Sequence, residues 1–97
     1  MTLEQAIFDG MAKNCFYTIV SRKPFATNSD SLIVYHDNGD ADLDASIKQG
    51  YAYFLDSEDL NPIFLYASQK KLSYEKIMEM ILYYAEYDAY PSWTNTI

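Results

Sequence analysis

The sequence predicts an α+β domain in the order α-β-β-α-β-α, with a three-stranded, mainly antiparallel sheet packed by helices. Two runs rich in aromatic and β-branched residues, 15–22 and 32–35, flank a proline and a polar loop, as the arms of a hairpin do. A near-continuous apolar run at 63–67 reads as a strand covered on both faces. A long amphipathic stretch from Ser73 to about Ala89, stopped by Pro91, reads as the closing helix.

Each element has its own local signal. Thr2 and Gln5 stand at capping-box spacing, and Leu3, Ile7 and Met11 recur four apart on one helical face. Gly10 weakens that helix by about 1 kcal/mol relative to alanine, and Asn14 is its expected end. The first strand carries Phe16, Tyr17, Thr18, Ile19 and Val20, and Lys23-Pro24 stops it. A polar loop around Asn28-Ser29-Asp30 leads to Leu32, Ile33, Val34 and Tyr35. Centring the hairpin between Arg22 and Ser31 sets Tyr17 opposite His36, with Cys15 diagonal to it.

Asp37-Asn38-Gly39-Asp40 is a turn signal. Leu43, Ile47, Tyr51 and Phe54 then recur at helical spacing and predict a helix over 43–55, with Gly50 as its weak point. Asp40, Asp42 and Asp44 at its start suit free backbone N–H groups and the positive end of the helix dipole. Asn61-Pro62 precedes Ile63, Phe64, Leu65, Tyr66 and Ala67, the expected central strand. In the last helix Ile77, Met80, Ile81 and Tyr84 form one face, widened by Met78, Leu82, Ala85 and Ala89. Only Lys76, Glu79, Tyr83, Glu86 and Tyr90 are left as a polar stripe, so this helix is deeply packed or covered by a partner. Residues 91–97 are expected to form a flexible tail whose Trp93 docks back.

The 97 residues suit one domain spanning 1–97, and 49% hydrophobic with 16% aromatic residues supports a packed core. Fourteen acidic against seven basic residues give a net charge of −7. Phosphate backbones and anionic membrane surfaces are therefore repelled, and Arg22-Lys23 and Lys70-Lys71 are too isolated to offset this. The same field steers the chain towards basic proteins. Cys15 is the one cysteine, so no internal disulfide forms and a reducing compartment fits. No apolar run approaches a membrane span, and Met1–Gln5 lacks the start of a signal peptide; a cytoplasmic protein is expected.

Catalytic and metal chemistry find little support. Asp40, Asp42 and Asp44 resemble the first half of a calcium loop, yet Ala45 stands where glycine is needed and Tyr51 where the bidentate glutamate belongs. One Cys and one His cannot complete a zinc site. Cys15, His36 and Asp37 sketch a cysteine nucleophile, but no oxyanion loop accompanies them. Asp56, Glu58 and Asp59 read as a charged turn. No cofactor, no metal and no enzymatic activity are expected.

Recognition is what remains. The expected partner-binding residues are Asp37, Asp40, Asp42, Asp44, Glu79, Tyr83, Glu86, Tyr87, Tyr90 and Trp93. Carboxylates meet a basic surface, and tyrosine and tryptophan supply hot spots often worth about 2 kcal/mol on truncation. In size, acidity and lack of a catalytic set the chain is similar to small phage and mobile-element proteins. Those proteins occupy the nucleic-acid groove of restriction or CRISPR nucleases. The expected function is such an inhibitor of a basic nucleic-acid-binding protein. An immunity protein that neutralises a toxin, and an accessory subunit that forms a homodimer through the last helix, stay open beside it. A cysteine-dependent enzyme is the remotest alternative.

Overall fold

Thr2 starts the first helix, α1 (Leu3–Met11), with a reciprocal cap: the Gln5 N–H donates to Thr2 Oγ1 at 3.1 Å and the Thr2 N–H to Gln5 Oε1 at 2.9 Å. The computed structural model describes residues 1–36 and 41–96. The buried face of α1 is Leu3, Ala6, Ile7 and Gly10, so Met11 is turned outward and the helix stops short of Asn14.

The sheet follows. β1 (Tyr17–Ser21) is its central strand, flanked by β2 (Ser31–Tyr35) and β3 (Ala52–Asp56), both antiparallel to it. The order along the chain is α-β-β-α-β-α-α, an α+β fold with one helix more than expected. The hairpin register is shifted by one residue from the expected pairing. Tyr17 lies opposite Tyr35 rather than His36, because Ser21 pairs with Ser31 and Arg22 already belongs to the connection.

The middle of the chain departs most from expectation. The helix α2 (Ala41–Lys48) ends before Gly50, whose φ of 95° turns the chain into β3. Tyr51 and Phe54 are buried from the turn and the strand, not from a continued helix. Their helical spacing from Leu43 and Ile47 is coincidental, and Ile47 is exposed. Arg22 holds this turn: Nη1 donates to the Gln49 carbonyl at 3.1 Å, Nε donates to Asp30 Oδ2 at 3.2 Å, and the guanidinium covers the Tyr51 ring at 4.2 Å. The Tyr51 hydroxyl also donates to Asp30 Oδ2 at 2.9 Å. That bond, with Arg22, keeps the Asp30 carboxyl below its ordinary range.

The run at 63–67 is not a strand. It lies inside α3 (Ser57–Lys70), which Asp56 caps in a second reciprocal box: the Asp59 N–H donates to Asp56 Oδ1 at 3.0 Å. Leu60, Ile63 and Ala67 face the core while Leu65 is 61% exposed, so the apolar run has a helix's inside and outside. Pro62 removes one backbone donor without ending the helix. Lys71, in the left-handed region, turns the chain back, and Ser73 caps α4 (Tyr74–Tyr87), which ends on Asp88 at a positive φ. A short 3₁₀ turn, Ser92–Thr96, follows.

Strand alternation sorts the helices. Tyr17 and Ile19 face α1, α3 and α4, and with Leu3, Ile7, Leu60, Ile63, Met80 and Ile81 make the main core. Val20 and Val34 point to the other face, where Tyr51 and Leu43 of α2 make a small second cluster. The sheet therefore stands between α2 and α4.

Tyr17 is fully buried, and its hydroxyl finds no hydrogen-bond partner among the described residues. Burial pushes its phenol up to about 12. A folded-state value above the unfolded one means stability is intact below pH ~10 and is lost as pH rises towards 12, by about 2–3 kcal/mol. Tyr17→Phe removes the unsatisfied hydroxyl. It is expected to stabilise the fold by about 1 kcal/mol at neutral pH and to flatten part of the alkaline loss. Urea melts at pH 7 and pH 11 measure both; a clear destabilisation at pH 7 contradicts the unpaired hydroxyl.

Candidate recognition face on the last helix

Capping by Ser73 sets the phase of α4. Ile77, Met78, Met80 and Ile81 go into the core, and Tyr74, Glu75, Glu79, Tyr83, Glu86 and Tyr87 stay outside. Tyr83 and Tyr87, one turn apart, stack with ring centroids at 4.5 Å. Their exposures of 38% and 57% leave much of both rings in solvent. Beside them the loop after β1 brings Phe25, seated edge-on to Phe54 at 5.0 Å. Phe25, Glu79, Leu82, Tyr83, Glu86 and Tyr87 line one open trough of about 730 Å³, with Lys23 at its rim.

The C-terminal residues return to this helix. The Trp93 indole N–H donates to Glu79 Oε1 at 3.0 Å. Lys76 Nζ lies 3.6 Å from Glu79 Oε2 and 4.8 Å over the Trp93 ring. The Tyr66 hydroxyl donates to the Thr94 carbonyl at 3.0 Å, a second anchor. Tyr90 packs on Tyr84 at 5.4 Å and keeps an exposed edge.

The expected partner-binding residues thus divide. Glu79, Tyr83, Glu86 and Tyr87 share the trough, with Trp93 bound to Glu79 and Tyr90 beyond the helix end. Asp42 and Asp44 are exposed in the first turn of α2, across the sheet. Asp37 and Asp40 lie outside the described residues. Phe25 and Lys23 could not be assigned from the sequence, since only the tertiary fold brings their loop beside α4.

The other candidate chemistry resolves into structure. Asp56 and Asp59 are the two halves of the α3 cap, and both accept from the Tyr53 hydroxyl, at 3.3 and 3.1 Å. Burial and these two carboxylates raise the Tyr53 phenol well above its ordinary value. His36 Nε2 shares a 2.7 Å hydrogen bond with Thr18 Oγ1, and its ring packs on Phe16 at 4.8 Å. Cys15 is exposed in a shallow polar hollow with Lys13, Asn14, Ser57, Glu58 and Asn61. Among the described residues, no three His, Cys, Asp or Glu side chains converge as a metal ligand set. No described helix is long and apolar enough to cross a membrane. Comparisons with known protein families, curated proteins and solved structures return no match to this chain.

Proposed function

We propose that this chain is a binding protein that inhibits a basic, nucleic-acid-handling enzyme, such as a restriction or RNA-guided nuclease, by covering its nucleic-acid surface with the outer face of α4. The carrying observation is the trough itself: exposed tyrosines and glutamates on one helix face flank an apolar floor, on a chain of net charge −7. Aromatic anchors desolvated at the centre supply affinity, and surrounding carboxylates supply orientation and a fast, salt-sensitive approach.

DNA cleavage by a panel of purified bacterial restriction and RNA-guided nucleases, with and without the chain, tests this role. The expected result is at least one enzyme slowed about tenfold or more, with protection by DNA bound beforehand and relief between about 50 and 300 mM salt. Unchanged cleavage across the panel, or inhibition indifferent to salt and to bound DNA, would overturn it.

A further inference from the structure

We infer that the α4 face is a helix-binding trough whose occupant is a basic amphipathic helix of the partner; this deepens the binding role proposed above and rests on it. Three hollows join along α4. One, described above, holds Leu82 and Glu79 in its wall; the next, of about 420 Å³, shares both and adds Met78, Tyr74 and Glu4. The last, of about 360 Å³, shares Tyr74 and Glu4 and ends at Phe8 and Met11 of α1. Tyr74 stands edge-on to Phe8 at 4.9 Å and is 70% exposed, an aromatic post on the surface.

The shape selects the occupant. The trough follows the 14 residues of α4, roughly 20 Å at 1.5 Å per residue, which matches a helix of about four turns. Its walls are side chains of α1, of α4 and of the loop from Lys23 to Thr27, and among the described residues no strand residue lines it. A visiting strand would leave its backbone donors and acceptors unpaired there, whereas a helix satisfies its own. Charge selects further. Glu4, Glu75 and Glu86 stand in the walls against Lys23, while Glu79 is already paired with Lys76. An occupant with an apolar stripe and flanking Lys or Arg fits these walls. A second copy of this chain does not, because it would set the same glutamates against each other.

A labelled peptide of about 14 residues, with Leu at i, i+3, i+4 and i+7 and Lys elsewhere, is the direct probe. Its controls are a scrambled isomer that lacks the apolar stripe and a Leu/Glu version. By fluorescence anisotropy the Leu/Lys peptide is expected to bind the full chain about tenfold or more tighter than either control. The double substitution Tyr74→Ala with Tyr87→Ala, both at well-exposed positions, is expected to weaken it about tenfold. Equal binding of the scrambled peptide, an unchanged affinity in the double variant, or self-association of the chain that the double variant abolishes would overturn the inference. Nuclease inhibition without peptide binding would remove the helix and keep the inhibitor; peptide binding without inhibition would do the reverse.

Discussion

Ile63→Ala is expected to lower stability by about 2–5 kcal/mol, while Leu65→Ala stays within about 0.5 kcal/mol. The contrast follows from the packing of α3. Ile63 is completely buried among the core residues of α1, α4 and the sheet, whereas Leu65, two positions on, is 61% exposed. In a central strand residues two apart share one face, so Ile63 and Leu65 would be buried together and both substitutions would be expensive. Equilibrium urea denaturation of the two variants separates the cases. Similar large losses for both would contradict the helix.

Gly10→Ala is expected to cost about 2–3 kcal/mol, and to lower Tm by roughly 10–20 °C, although alanine is the better helix former. A methyl group at Gly10 would lie 2.5 Å from the Tyr17 hydroxyl oxygen and 2.7 and 2.9 Å from two ring carbons. That ring is fully buried in the main core, where close packing resists its displacement. The overlap therefore outweighs a propensity gain of about 1 kcal/mol. Adding Tyr17→Phe removes the oxygen but leaves the ring carbons, so the double variant should recover only part of the loss. Thermal melts decide it; an alanine variant as stable as the parent would mean that α1 does not sit against Tyr17.

Local sequence signals specify part of this fold, and tertiary contacts specify the rest. The hairpin strands and the first and last helices were legible because short-range signals agreed: a capping box at Thr2, β-branched runs and an apolar stripe stopped by Pro91. The start of α2 was legible too, but residues 49–70 were not. Leu43, Ile47, Tyr51 and Phe54 imitate a helical stripe across a turn that Gly50 makes, and 63–67 imitates a buried strand inside a capped helix. The deciding residues are not apolar: Gly50 interrupts the first pattern from within, and the Asp56–Asp59 box lies ahead of the second. Gly10 read as a defect, and its use as the contact point for Tyr17 needs the tertiary structure. The α4 half of the candidate face could be grouped from the sequence because its residues share one helix. The part added by Phe25, Phe8 and Met11 could not, since the fold alone brings those segments to α4.

In the proposed role α4, and not the acidic start of α2, meets the basic partner. Two charge reversals test it side by side: Glu75→Lys with Glu86→Lys on α4, and Asp42→Lys with Asp44→Lys on α2. Each moves the net charge from −7 to −3, so the overall field changes equally. Glu75 and Glu86 spare Glu79, which holds Lys76 and Trp93. Affinity for the nuclease most strongly inhibited, measured at fixed salt, is expected to fall about tenfold or more for the α4 pair and about twofold or less for the α2 pair. Equal losses, or a larger loss from the α2 pair, would contradict the assignment of the recognition face.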